Sequence, residues 1–292
     1  MLKPSHLTDE AANVLLGTPD ERVYHIQSKR WIAYPKGVQI LDQLSKMLKH
    51  PRTTRMPSLI VYGDSGMGKS MLVDKFMADC ATGTGTDRAP NPNKVLVVEL
   101  SGRPTERRLF SQILDAVDAP HSPRASIVDV ERGAINILRD IGVQILVIDE
   151  IHNILAGSWR EQRIVLNTLR FLSNELKVSL VCFGILEARD AINGDVQLAR
   201  RFDAVTLPRW TAGKEFEQLV LAIVRNLPLR EPSVLTVKGL RCVLQLSGGV
   251  SSRIFRMLND LAIQAIETGE ERITDMSIEK YKPVSENEVA FQ

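Results

Sequence analysis

The spacing of apolar residues changes near residue 56 of the chain. Upstream, residues 36–48 carry apolar side chains three and four positions apart, which predicts a helix that ends before Pro51. Downstream, short continuous apolar runs predict buried strands at residues 58–62, 95–100, 145–148, 178–183 and, more weakly, 204–207. Stretches with helical spacing separate them, at residues 70–80, 105–117, 127–141 and 161–176. Because strands that alternate with helices build parallel sheets, the sequence predicts an α/β fold with helices on both faces of the sheet.

The strand pattern stops after Pro208, and only helical spacing follows. Helices are predicted at residues 214–225, 233–246 and 251–268, with a glycine turn at 247–249. The sequence therefore predicts four consecutive parts, which are an N-terminal helical extension at 1–55, an α/β core at 56–208, a small helical lid at 209–280 and a flexible tail at 281–292.

Composition limits the classes of protein that remain. The 292 residues carry a net charge of +2, which neither requires nor excludes nucleic-acid binding, so any DNA contact must come from a local cluster of cations. Three widely spaced cysteines, Cys80, Cys182 and Cys242, show neither a disulfide framework nor a zinc-ligand spacing. The N-terminus lacks a signal-peptide pattern, and no apolar run reaches the roughly 18 residues that a membrane span requires, so we expect a cytoplasmic protein without membrane contact.

The segment that follows the first predicted strand fits the pattern G-x-x-x-x-G-K-[ST] in full, and a helix is predicted directly after it. Glycines in such a loop let backbone N–H groups point inward at phosphates, and the helix N-terminus adds partial positive charge. Lys69 is expected to reach the β- and γ-phosphates of ATP, and the Ser70 hydroxyl to bind Mg²⁺. The predicted nucleotide-binding residues are Gly63, Asp64, Ser65, Gly66, Met67, Gly68, Lys69, Ser70 and Met71.

Two carboxylates, Asp149 and Glu150, end the third apolar run. We predict that Asp149 holds Mg²⁺ mostly through water and that Glu150 orients and polarises the water that attacks ATP. This pair is a weak signal alone and a strong one at this position after a P-loop. The chain lacks the N-K-x-D motif that reads guanine, which argues against a GTPase. Adjacent acids followed by a C-terminal helical lid are typical of ATP hydrolysis by AAA+ proteins.

AAA+ proteins complete their site between subunits, where an arginine from the neighbour stabilises transition-state charge. The candidate lies just before the last strand, and we favour Arg201, with Arg200 as the second choice. In the lid, Arg253 stands either at the position of a second nucleotide sensor or as a surface arginine on a helix. The fourth strand ends in Gly184 and Ile185, and Ile185 cannot touch a γ-phosphate as the usual polar residue does.

Three further side chains each have two interpretations. His152 follows the acidic pair as a metal ligand or as a hydrogen-bonding group, and we favour the second because no partner ligands stand near it. In that role it would couple DNA or subunit contact to Glu150. Trp31 and Tyr34 either flank the adenine ring or pack the N-terminal segment on the core.

Many segments resemble one family, the TniB/TnsC type of AAA+ transposon ATPase of Mu-like and CRISPR-associated transposition. The resemblance extends over about residues 20–270, and the stretch 149–176 is specific to that family rather than general to AAA+ proteins. The matching segments are residues 24–26, 30–35, 55–57, 149–158, 161–163, 166–176, 197–202 and 207–210. Ile185 departs from the family pattern, which usually has a small polar residue there.

The resemblance implies an ATP-dependent regulator that assembles as a ring or helical filament on duplex DNA and marks the insertion site. It also implies recruitment of a DDE transposase, control by a TniQ-type target selector with or without a CRISPR effector, and disassembly driven by ATP hydrolysis. Related proteins place the loop and helix start after the second strand against DNA. By that resemblance the DNA-binding residues are Arg103, Thr105, Arg107 and Arg108, through sequence-neutral phosphate contacts that weaken with salt.

A second class of function has the same fold and site. A helicase loader or initiator-like switch would deliver a protein partner, and such proteins usually append a DNA-reading domain after the lid. The sequence ends roughly 25 residues after the last predicted lid helix, fewer than the about 50 of a small domain, which favours the transposition regulator. A third alternative is a nucleotide-gated scaffold that does not hydrolyse ATP. The presence of Glu150 argues against it, whereas the apolar Ile185 at the sensor position leaves it open.

Overall fold

The structure is a computed structural model that describes residues 4–83 and 94–282. The chain divides into two compact units: one spans residues 39–208, and the other combines the residues up to 38 with those from 209 onward. Helix α3 (Pro35–Lys49) contains the first boundary between the units. No helix within the described ranges is long and apolar enough to cross a membrane.

A five-stranded sheet forms the centre of the unit of residues 39–208. Its strands are β1 (Ser58–Gly63), β2 (Val95–Glu99), β3 (Ile145–Asp149), β4 (Ser179–Gly184) and β5 (Phe202–Leu207). They lie in the order β2-β3-β4-β1-β5, and every neighbouring pair is parallel. The predicted α/β fold class is confirmed. Because the strands are parallel, their carboxyl ends meet at one edge, where ligands of open α/β sheets bind.

Helices flank this sheet. They are α4 (Lys69–Thr82), α5 (Glu106–Asp115), α6 (Ile127–Asp140), α7 (Trp159–Leu176), α8 (Glu187–Asn193) and α9 (Val196–Ala199). A 3₁₀ helix (Ile151–Ala156) lies between β3 and α7. Helix and strand side chains share one core, in which Phe110, Leu146 and Leu169 are fully buried. The continuous apolar runs of the strands follow from burial on both sides of the sheet.

The other unit is helical throughout its described residues. Its helices are α1 (Asp9–Val14), α2 (Pro19–Gln27), α10 (Lys214–Arg225), α11 (Val237–Ser247), α12 (Ser251–Thr268) and α13 (Asp275–Lys280). The predicted start of a helix at residue 233 is wrong, because α11 begins at Val237. The Thr236 side chain accepts the Lys238 N–H and donates to the Asp275 carboxylate, which fixes Thr236 as the N-cap.

A buried ion pair joins α2 to the segment after α12 within this unit. Arg22 is 1% exposed, and its guanidinium donates to the Glu271 carboxylate and to the Pro228 carbonyl oxygen. Burial raises the pKa of Glu271, but hydrogen bonds from Arg22 and from the Arg230 N–H outweigh burial and hold that pKa below its ordinary value. Because an unpaired buried charge is costly, this pair fixes the N-terminal helices against the C-terminal ones.

Candidate nucleotide-binding site

The P-loop connects the end of β1 to the start of α4. Gly66 and Gly68 have φ angles of +78° and +89°, in the left-handed region that residues with a Cβ rarely adopt. Gly68 is the N-cap of α4 and offers no side-chain cap, so no capping side chain competes for the first N–H groups of this helix. Such a loop and helix start suit the phosphates of a nucleotide.

Lys69 is nearly buried and folds back over this loop. Its Nζ atom donates to the carbonyl oxygens of Gly63 at 2.8 Å and of Asp64 at 3.0 Å. Burial lowers the pKa of Lys69, while the negative charges of Glu150, Asp149 and Asp64 oppose that shift. The fold therefore brings the P-loop lysine into the electrostatic field of the acidic pair.

The two predicted magnesium ligands meet at the carboxyl edge of the sheet. Ser70 Oγ donates to Asp149 Oδ2 at 3.4 Å, although the two residues lie 79 positions apart. Asp149 Oδ1 accepts the N–H of Glu150 at 2.9 Å, which orients the carboxylate. One hydroxyl and one carboxylate oxygen fit Mg²⁺, which keeps several waters and takes few protein ligands. Among the residues that the structure describes, no group of three or more His, Cys, Asp or Glu side chains could hold a metal ion.

Glu150 has an unusual backbone conformation for a residue with a side chain. Its φ and ψ angles are +54° and +37°, and it stands at the N-cap of the 3₁₀ helix. Its Oε2 atom lies 3.2 Å from Nε2 of His152, whose side chain is 18% exposed. The His152 ring therefore faces the Glu150 carboxylate, and its hydrogen-bonding role stays a prediction.

The two candidate trans arginines lie between α9 and β5. Arg201 Nη1 donates to Asn174 Oδ1 of α7 at 2.7 Å. Arg200 is exposed, and its side chain makes no hydrogen bond or ion pair with any residue that the structure describes. An ion pair of 3.0 Å between Arg170 of α7 and Asp195 fixes the start of α9. Helix α7 thus holds the segment that carries both arginines, and Arg200 is the freer of the two.

Arg253, Trp31 and Tyr34 belong to the other unit. Arg253 lies in the first turn of α12, and its role as a sensor stays a prediction. The Tyr34 ring centroid lies 5.7 Å from that of Trp31 and 5.6 Å from that of Trp210. Burial raises the pKa of Tyr34 to about 12, and its hydroxyl has no hydrogen-bond partner among the described residues. These contacts support the packing interpretation of the two aromatic residues.

The predicted DNA-binding loop follows β2, and its first cation is paired. Arg103 is exposed and donates to Glu161 Oε2 at 2.7 Å. Hydrogen bonds from Ser158 and Arg103 lower the pKa of Glu161 to about 2. Thr105 caps α5 by accepting the Arg108 N–H at 3.2 Å. Glu161 was not among the predicted site residues, although its spacing from Ser158 marks a capping box at the start of α7.

The other two predicted DNA-binding residues also have partners within the chain. Arg107 Nη2 donates to the carbonyl oxygens of Pro123 and Ala125, at 2.7 Å each, and so fixes the loop before α6. Arg108 is exposed and donates to Ser101 Oγ at 3.2 Å. The assignment of both residues to DNA stays a prediction.

Solved structures of other proteins share this fold at low sequence identity. The Aeropyrum pernix ORC2 protein, solved with ADPNP and ADP, is 15% identical, with a TM-score of 0.64 over 92% of this chain and 72% of that one. The A. pernix ORC1 protein in complex with DNA is 19% identical, with a TM-score of 0.59 over 88% and 67%. Drosophila ORC bound to DNA is 14% identical, with a TM-score of 0.59 over 96% and 68%.

Comparison of sequences identifies the family. No curated protein matches the chain. The family model described as "Bacterial TniB protein" matches residues 22–212, which is more than half of the chain and includes the P-loop, the acidic pair and both candidate arginines. This match confirms the resemblance derived from the segments around residues 149–176. The chain belongs to the TniB family and has the AAA+ fold.

Proposed function

We propose that this protein is an Mg²⁺-dependent ATPase that assembles on duplex DNA and regulates transposition. The observation that carries the proposal is the meeting of Ser70 with Asp149 at 3.4 Å, beside Lys69 and Glu150, in a member of the TniB family. In this role the protein marks the target site, answers to a TniQ-type selector with or without a CRISPR effector, and recruits a DDE transposase. ATP hydrolysis then controls its disassembly.

Each group at the sheet edge has a distinct task in this proposal. Lys69 leaves the P-loop carbonyls and binds the β- and γ-phosphates, whose charge attracts the ammonium more strongly than neutral oxygens do. Ser70 and Asp149 hold Mg²⁺, which supplies charge neutralisation at the phosphates. Glu150 orients the attacking water and accepts its proton. The A. pernix ORC2 structure with ADPNP and ADP supports nucleotide binding by this fold.

Oligomerisation completes the site in this proposal. An arginine of one subunit, Arg201 or Arg200, reaches the nucleotide of its neighbour in a ring or filament. Support comes from the exposure of Arg200 and from the two contacts that fix the surrounding segment, Arg201 to Asn174 and Arg170 to Asp195.

DNA binding requires Arg103 to exchange partners. At present its guanidinium is held by the Glu161 carboxylate, so a phosphate must compete for it. Thr105 presents its hydroxyl at the start of α5, where a phosphate would also meet the helix N-terminus. The A. pernix ORC1 and Drosophila ORC structures with DNA support contact between this fold and a duplex.

The test is duplex binding by fluorescence anisotropy over a range of salt concentrations. Arg103→Ala with Thr105→Ala is expected to weaken binding. Because one phosphate contact is lost, the slope of the logarithm of the binding constant against the logarithm of the salt concentration becomes less steep by about 0.9. Glu161→Gln is expected to tighten binding, because it releases Arg103 while Gln still serves in a capping box.

Two variants serve as controls for this test. Thr105→Ser keeps the hydroxyl, and Thr18→Ala removes the comparable threonine N-cap of α2, which belongs to the other unit, so both are expected to bind DNA as the wild type does. If the double variant of Arg103 and Thr105 bound duplex DNA with unchanged affinity, the assignment of these two residues to DNA contact would be wrong.

The likeness to ORC chains favours one alternative, an AAA+ switch that loads a helicase or delivers another protein partner. It would hydrolyse ATP at the same site. A protein that binds and hydrolyses ATP yet ignores duplex DNA in every nucleotide state would support this alternative.

A further inference from the structure

The backbone of Glu150 is strained at the point where the carboxylate must be aimed. A left-handed conformation in a residue other than glycine is unfavourable and persists only where its surroundings enforce it. Here β3 ends at Asp149, and the 3₁₀ helix begins at Ile151. Glu150 is the only residue between them, so its side-chain direction depends on both.

His152 lies within the first turn of that 3₁₀ helix and faces the Glu150 carboxylate. Its Nε2 atom is 3.2 Å from Glu150 Oε2, and the side chains are 18% and 35% exposed. Its other ring nitrogen, Nδ1, is buried without a partner among the described residues. A carboxylate only accepts hydrogen bonds, so Nε2 is the ring nitrogen that can donate a proton toward Glu150.

A glycine at the end of β4 provides room for this ring. A Cβ on Gly184 would lie 3.3 Å from His152 Nδ1, 3.2 Å from Ile151 Cγ2 and 2.6 Å from Ala188 Cβ. The imidazole thus reaches the tip of β4, next to Ile185, which brings no polar group there. The His152 ring therefore supplies a polar atom beside the tip of β4, where Ile185 supplies none.

We propose that His152 is a positioning residue, which holds the Glu150 carboxylate in the direction needed to orient the attacking water. This inference rests on the proposed ATP hydrolysis and adds a residue to it. His152 acts through Glu150 by donating Nε2–H to Oε2, and it touches neither nucleotide nor metal. Loss of that donor leaves the carboxylate free to rotate, which affects the chemical step and spares the P-loop contacts that bind ATP.

The test compares three replacements of His152 in the full-length protein. The amide nitrogen of Gln stands near the place of Nε2, whereas the shorter Asn reaches only the place of Nδ1. His152→Ala and His152→Asn are expected to lower kcat by about 10- to 100-fold, because misplacing a reacting group by about 1 Å costs this much. His152→Gln is expected to restore most of the activity.

Nucleotide affinity distinguishes a positioning role of His152 from a purely structural one. KM for ATP and the affinity for a slowly hydrolysed analogue are expected to match the wild type in all three variants. Wild-type kcat in His152→Ala, or equal losses in the Asn and Gln variants, would overturn the proposal for His152 alone. Absence of ATP hydrolysis by the wild-type protein, with and without DNA, would overturn the proposed function and this inference with it.

Discussion

Glu150→Gln is expected to lower kcat for ATP hydrolysis by about 10²- to 10⁴-fold, the usual contribution of a positioned general base. The amide has nearly the shape of the carboxylate but cannot accept a proton from water. Glu150 lies beside Asp149 at the carboxyl edge of the sheet, and its negative charge acts on Lys69. Nucleotide binding is expected to persist, because the P-loop and the Ser70–Asp149 pair are unchanged.

The measurement is steady-state release of phosphate together with the affinity for a fluorescent ATP analogue. Glu175→Gln is the matched control, because Glu175 pairs with Arg139 at 2.8 Å on an exposed surface where such pairs contribute little. Full activity of Glu150→Gln would show that another residue activates the water, and the role assigned to Glu150 in the acidic pair would then be wrong.

Loss of the trans arginine is expected to lower hydrolysis by about 10³- to 10⁵-fold in assembled protein. The sequence favoured Arg201, while the structure shows Arg201 bound to Asn174 and Arg200 exposed. Arg200→Ala and Arg201→Ala are therefore compared directly. The variant with the larger loss in kcat identifies the arginine that stabilises transition-state charge, and Asn174→Ala reports how much the hydrogen bond to Arg201 contributes.

Mixed assemblies show whether that arginine acts between subunits. The arginine variant and Glu150→Gln are each expected to be nearly inactive alone, but a mixture contains interfaces where an intact Glu150 meets an intact arginine. Activity is expected to return in part on mixing. No recovery at any mixing ratio, from variants that still assemble, would contradict a site shared between subunits.

Local patterns in the sequence predicted the sheet and the P-loop well. The continuous apolar runs that end in Gly63 and in Asp149 mark buried parallel strands, and the loop chemistry follows from glycine and lysine spacing. The approach of Ser70 to Asp149 followed from the same motif logic. The limits of the four predicted parts, and the roles of the lid residue Arg253 and of the DNA-binding residues, stay predictions.

Contacts between distant side chains that no motif links were beyond the reach of the sequence. The pairing of Arg103 with Glu161 joins residues 58 positions apart, and no periodicity indicates it. The left-handed backbone of Glu150 could not be foreseen either, because positive φ is rare for residues other than glycine. The room that Gly184 leaves for His152 depends on the packing of β4 against the segment after β3.

Electron microscopy of the protein with duplex DNA tests ATP-dependent assembly most directly. Wild-type protein and Lys69→Ala are imaged in negative stain with ATP, with a slowly hydrolysed analogue and with ADP. We expect rings or filaments on DNA that form with the triphosphate and are absent with ADP and in Lys69→Ala, since the proposed function assigns the β- and γ-phosphates to that lysine. Particles that ignore DNA in every nucleotide state would contradict assembly on DNA, and with it the proposed regulation of transposition.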